Sequence, residues 1–164
     1  MREILVRVVD VYAYRMVADK PLFLLCMRAP DTLYAGQWRM IGGKVEPDET
    51  AWQAALRELE EESRLKPVSA WSLPSVNMFY EWQHDRVTLG PAFAVEVEGA
   101  PILNKEHVDY GWFSREDALP LLIWPEQKRL LALADDLICA HAINPTWILP
   151  LYPVQTFGNL QSET

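Results

Sequence analysis

The chain has 164 residues, half of them apolar, enough for one domain with a sizeable core. A net charge of -8 and a pI near 4.9, with no basic stripe or tail, exclude a nucleic-acid phosphate surface. They also predict that an anionic substrate approaches only with bound cations. The N-terminus alternates from the start and no span nears about twenty uninterrupted apolar residues, so neither a signal peptide nor a membrane helix is predicted. Cys26 and Cys139 each lie in an apolar run, the pattern of buried reduced thiols, and a cytoplasmic location follows.

In chain order, Ile4 to Tyr14 is rich in Val, Ile and Tyr with charges interleaved and reads as a strand. Pro21 to Met27 reads as a second, and the intervening Ala18-Asp19-Lys20-Pro21 supplies a turn, which predicts a hairpin. Arg28 to Gly36 is a loop, and Gln37 to Ile41 a short strand that delivers the chain to Gly42-Gly43. Two adjacent glycines make a plain turn, or they let the backbone approach a metal or phosphate where a side chain would intrude.

Thr50 to Ser63 contains no Gly or Pro and is rich in good helix formers; Pro47-Asp48-Glu49-Thr50 supplies the start signal. At about 100° per residue, Trp52, Ala55, Leu56 and Leu59 form the stripe that packs on a core. Glu58, Glu61 and Glu62 group on an adjoining face, where like charges at i, i+3 and i+4 repel by about a few tenths of a kcal/mol per pair. Either the face is merely solvated, with Arg57 to Glu61 and Glu60 to Arg64 as pairs, or something cationic sits there. Oxygen ligands of this kind suit Mg2+ or Mn2+.

Beyond the helix, Lys66 to Glu81 reads as a strand broken near Pro74, and Arg86 to Glu98 as the clearest later strand. The segment between them, Tyr80 to Arg86, is a polar hairpin end whose aromatics either stack on a base or pterin or pack at a strand edge. His84 has no second His or Cys near it and carries no metal signal. Asn104 to Phe113 leads into a short strand, with Glu106 as its notable residue, otherwise a surface acid. Ser114 caps towards Asp117, and Trp124-Pro125 opens a helix to about Ala140. From His141 onward, Pro145, Pro150 and Pro153 forbid a long helix, while Trp147, Ile148, Leu149, Leu151 and Tyr152 need cover. That cover is the domain's own surface or a partner subunit, and a homodimer is the reading preferred. No repeat or low-complexity linker divides the chain, so residues 1–164 are read as one domain with 141–164 as a C-terminal arm.

The spacing Gly43, five residues, Glu49, seven residues, Arg57-Glu58-Leu59, one residue, Glu61-Glu62, one residue, then a position before Leu65 resembles the signature box of the Nudix hydrolases. The chain departs from it at Arg64, where the family usually has a glycine that ends the helix in a left-handed conformation. Glu106-His107, the following strand and Trp124 resemble the dihydroneopterin triphosphate pyrophosphatase branch of that family, whose box also tends to lack this glycine. The resemblance implies an α/β fold, a mixed sheet sandwiched between helices. It implies a pyrophosphohydrolase in which the Gly42 carbonyl, Glu58, Glu61, Glu62 and Glu106 hold Mg2+ or Mn2+, and Arg57 binds the box together by pairing with Glu49. Glu58 is the first choice for general base, with Glu62 and Glu106 as alternatives. The implied substrate is a nucleoside triphosphate, related nucleoside diphosphate derivative or pterin triphosphate, with neither nucleic acid nor membrane as partner. Tyr80 leaves dinucleoside polyphosphates open. Arg28, Arg39, Lys44 and Arg86 are the cations predicted to reach phosphate, otherwise solvated. The rival is a Nudix-fold module that binds a nucleotide and hydrolyses nothing; intact acidic positions favour the enzyme.

Overall fold

The structure, a computed structural model, describes residues 3–151. Its centre is β2 (Val8–Val17), which pairs in parallel with β7 (Arg86–Glu98) on one edge. The other edge forks: Val8 to Val11 pair with β5 (Ile41–Lys44), whereas Tyr14 to Val17 pair with β3 (Lys20–Arg28). The β2–β3 hairpin turns through Ala18 and Asp19, both at positive φ, which suits the right-handed twist of the flanking strands. β4 (Trp38–Arg39) and β8 (His107–Phe113) pair with β3. β6 (Lys66–Glu81) pairs with β7 as a long hairpin, and β1 (Glu3–Val6) lies parallel to the far part of β7. Pro74 does not break β6 in two; the strand continues, with its register slipping between Ser72 and Val76. Proline removes one donor there, and the irregularity absorbs the loss.

Period-two alternation along β2 sends Val9, Val11 and Ala13 to one core and Tyr12 and Tyr14 to the other. The first core is covered by α1 (Ala51–Ser63), which buries Ala54, Ala55 and Leu59 and half-buries Trp52 and Leu56. The second is covered by α2 (Arg115–Leu121) and α3 (Pro125–Cys139), with Leu130, Leu131 and Ala134 buried. Helices on both faces of a mixed sheet are the predicted α/β architecture. Each fully buried Leu or Val contributes about 1.5–3 kcal/mol by leaving water, so the two cores hold the frame on which the loops hang.

Cys26 is buried, and burial pushes its thiol up to about 12. Cys139 is exposed, against the prediction, because the last residue of α3 has turned past the core-facing stripe. In the C-terminal arm, Leu149 and Leu151 pack on the α1-side core and the Leu149 N–H donates to Ala70 O (2.8 Å), while Ile148 stays exposed. Tyr152 and the rest of the arm lie outside the described residues.

α1 starts at a capping box, Thr50 with Gln53, and ends at Arg64 in the left-handed conformation (φ 58°). The position thus takes the glycine geometry without the glycine. Its N–H still reaches Glu60 O at 3.0 Å, and the N–H groups of Ile102 and Asn104 donate to the Ser63 and Glu62 carbonyls at 2.8 and 3.4 Å. A side chain at such a φ costs about 1 kcal/mol. Arg64→Gly is therefore expected to raise stability by roughly 0.5–1 kcal/mol in urea unfolding, since the exposed Arg64–Glu60 pair contributes little; an unchanged or lower midpoint would refute this.

Candidate functional site

The site grows from bare backbone on β5. A Cβ on Gly43 would stand 2.0 Å from Glu58 Oε1, and one on Gly42 would stand 2.5 Å from Val9 O and 3.4 Å from Asp10 Oδ1. Gly42 clears space on the strand side, Gly43 on the helix side. Glu58 is thereby pressed against the strand, with its side chain only 13% exposed.

Arg57 ties this contact to the preceding loop. Its Nε donates to Glu49 Oε2 (3.0 Å) and its Nη2 to Glu49 Oε1 (2.6 Å) and Lys44 O (2.9 Å). Its Nη1 donates to Glu58 Oε1 (2.9 Å) and Glu61 Oε2 (3.1 Å). The bidentate pair holds the Glu49 carboxyl below its ordinary range and the guanidinium above its own.

Behind Glu58, the Glu62 side chain is almost fully buried and its Oε2 has no hydrogen-bond partner. Burial, then the neighbouring charges of Glu58 and Glu106, push its carboxyl up to about 9. Burial raises Glu58 as well, against the pull of Arg57. His107 Nε2 lies 3.7 Å from Glu62 Oε2, too far for a hydrogen bond, and burial, with Arg28 adding to it, takes the imidazole down to about 4. His107 is thus neutral and brings Glu62 no countercharge. Glu106 is half-exposed and pairs with Arg28 Nη1 at 3.3 Å, while the Arg28 Nε donates to Leu33 O.

Neighbouring carboxylates, two of them raised by burial and by nearby acids and one with an orphaned oxygen, form a hard-oxygen cradle short of positive charge. Its residues fit a divalent cation. Among the described residues no three acids or histidines already close around a point, because Arg57 draws Glu58 and Glu61 and Arg28 draws Glu106. The arginines supply part of the countercharge in this arrangement.

A pocket of about 270 Å³ opens on the α3 side of the same glycines, lined by Tyr34 and Arg39, by Asn77, Met78 and Phe79 of β6, and by Trp124 to Gln127 at the start of α3. Arg39 lies 4.3 Å over the Tyr34 ring and 5.9 Å from the Trp124 ring centroid, and the two rings meet edge-on at 5.5 Å. Asp10, paired with Gly42 in the sheet, is buried nearby and accepts from Asn77 Nδ2 (2.8 Å) and Gln127 Nε2 (3.5 Å). Burial raises its carboxyl. Gln127 Oε1 is buried without a partner. A cavity of about 320 Å³ near Tyr14, Glu96 and His141 lies against the other end of α3 and has no comparable group of acids.

The structure therefore gathers Glu58, Glu61, Glu62, Glu106, Arg57 and Arg28 around the Gly42-Gly43 strand, and sets Arg39 in the ring-lined pocket. Lys44 contributes its carbonyl and leaves its side chain exposed. Tyr80 and Arg86 sit at the β6–β7 hairpin end, where Tyr80 Oη donates to Asp85 (2.7 Å) and Arg86 pairs with Glu81; neither lines the pocket. Sequence reasoning missed Asp10, Asn77, Tyr34, Trp124 and Gln127 as a group. A lone acid in Val8-Val9-Asp10-Val11 was a usable signal, since an acid on a core face requires partners; the others carried none.

A NUDIX domain model matches residues 6–134. The CTP pyrophosphohydrolase of Escherichia coli K12 is 32% identical over 113 residues, which cover 66% of this chain and 78% of that protein. A NUDIX hydrolase structure from Listeria monocytogenes superposes with a TM-score of 0.70 at 23% identity, covering 82% of this chain and 95% of that one. The E. coli dihydroneopterin triphosphate pyrophosphohydrolase gives 0.63 at 21%, covering 79% and 94%. With these matches joined to the glycine-bound carboxylate cluster, the chain belongs to the Nudix family and is a hydrolase acting on nucleotide derivatives.

Proposed function

We propose that the protein is a pyrophosphohydrolase of nucleoside triphosphates, or of the chemically similar pterin triphosphate, working with Mg2+ or Mn2+. The observation that carries this is the orphaned, buried Glu62 carboxylate beside Glu58 and Glu106, next to a pocket with aromatic walls. The Gly42 carbonyl, Glu58, Glu61, Glu62 and Glu106 are the oxygens that would hold the cation. Bound there, it would neutralise the polyphosphate and lower the pKa of the attacking water.

The chain's own side chains do the rest. Water attacks one phosphorus of the anhydride, a P–O bond forms, the bridging P–O bond breaks, and the departing phosphate oxygens keep the electron pair. Glu58 takes the water's proton: burial raises its carboxyl, and the Arg57 guanidinium and the face of Gly43 fix where it points. Arg57 acts by position, locking the loop that follows the glycines to the helix. Tyr34 and Trp124 offer faces and edges to a flat ring, while Arg39, stacked on Tyr34, and Arg28, paired with Glu106, would serve as phosphate partners. The name of the 32% identical relative supports a nucleoside triphosphate as substrate.

In a nucleotide panel with Mg2+, Glu58→Gln and Glu62→Gln are expected to lose about 10²-fold or more in kcat and to bind Mn2+ at least about 10-fold more weakly, read separately by electron paramagnetic resonance. Turnover equal to the parent in both variants would reject hydrolysis at this site.

Trp124→Ala should raise KM about 10-fold or more while kcat changes by less than about 3-fold, because the ring is proposed to touch the base and not the phosphorus. A drop confined to kcat would place the base elsewhere.

Glu62 also sets a stability expectation. Its carboxyl rises from an ordinary 4.5 to about 9 on folding, so the folded chain keeps a proton that the unfolded chain releases. Stability contributed by the protonated form is complete below about 4.5 and is lost as pH climbs towards 9. Without metal, Glu62→Gln is therefore expected to melt higher than the parent by a margin that widens from pH 5 to pH 8, on the order of 2 kcal/mol at the upper end. Saturating Mn2+ should shrink the margin; a margin independent of pH would contradict the burial of the charge.

A further inference from the structure

The outer part of the sheet shows an inverted alternation. The registers place Ile4, Val87 and Tyr80 side by side across β1, β7 and β6, and Val6, Leu89 and Met78 in the next row of the same face. Ile4 is 69% exposed, Val6 53%, Met78 56% and Tyr80 56%, with Val87 and Leu89 half-buried. The opposite face of the same strands buries polar side chains, Asn77 and Thr88. An ordinary one-sided sheet does the reverse. α1 covers the Phe93–Val97 end of this face, and among the described residues no helix covers the Val87–Leu89 end.

We propose that this β1/β7/β6 face is the docking surface for a second copy of the chain, giving a two-fold dimer whose sheets pack face to face. Area is the first reason. These exposures leave on the order of 600 Å² of apolar side chain open, before Trp82 at the hairpin tip is counted, at the upper limit for a monomer's largest patch and close to the ~800 Å² per partner of a stable interface. Charge is the second. The molecule carries -8 overall, yet none of the six positions is ionisable as an acid or base of the Asp, Glu, Lys or Arg type. Two such molecules repel everywhere except where charge is missing, so the neutral face best matches its own copy. An anionic lipid surface would be repelled by the net charge. Geometry is the third: a flat three-stranded face satisfies a two-fold axis because the same patch serves both partners. The Tyr80 ring is already held in place by its 2.7 Å hydrogen bond to Asp85, so little ordering is lost on contact.

Sedimentation of the full chain from about 1 to 100 µM tests this, with Ile4→Glu and Val6→Lys as disrupting variants and Val68→Glu, exposed on β6 outside the face, as control. The parent and Val68→Glu are expected to sediment as two chains. Each disrupting variant should weaken the dimer by about 10²-fold or more with unchanged far-ultraviolet circular dichroism, since it buries an unpaired charge at the interface centre. A parent that stays monomeric at the highest concentration overturns the proposal, as does a dimer indifferent to both charges or the face binding lipid vesicles as a monomer.

Discussion

The contact on which the rest depends is that of the Glu58 carboxylate against the naked backbone of Gly43. At 2.0 Å from an imagined Cβ, it leaves no room for another residue at position 43 unless the Glu58 carboxylate moves away from the strand. Everything charged nearby is arranged by that approach. Arg57 must lie alongside Glu58, so it can reach Lys44 O and Glu49 and hold the loop shut. Glu62, one turn further, is driven into the protein between helix and β8, where its charge is a liability without a cation. Folding thus accepts electrostatic strain at one place, balanced by the two cores on either side of the sheet.

The forked edge of β2 decides where that strain is useful. Because β5 and β3 leave β2 at different points, the glycine strand has one neighbour there and opens towards both faces of the sheet. Gly42 borders Asp10 and the aromatic pocket; Gly43 borders Glu58. The substrate proposed for this site would lie across the two glycines with its ring on one side and its negative end on the other.

Much of this was legible in the letters. The hairpin at Ala18-Asp19, the limits of α1 and α3, and the β7 strand were set by local turn, cap and periodicity signals that tertiary contacts did not overrule, whereas Ile4 to Tyr14, read as one strand, is divided at Arg7 into β1 and β2. The grouping of Glu58, Glu61 and Glu62 was readable because helical spacing converts directly into proximity. The burial of Glu62 was not, since it needs Glu106 and His107 to arrive from β8. The pocket was illegible for the same reason: Tyr34, Asn77 and Trp124 come from a loop, a strand and a helix start with no common period. Tyr80 shows the opposite case, an aromatic whose sequence position suggested the ligand but whose strand parity turns it to the other face of the sheet. Cys139 went astray because apolar neighbours say little about the phase at which a helix ends.

The hydrogen bonds from Ile102 and Asn104 onto the last carbonyls of α1 have a mechanical meaning. They clamp the segment that carries Glu106 and His107 to the very turn that carries Glu62, although some forty residues of chain separate the two. Fraying of that turn and release of that segment are consequently a single event. The spacing of the acids is kept by a latch of main-chain atoms, indifferent to which side chains decorate the intervening loop.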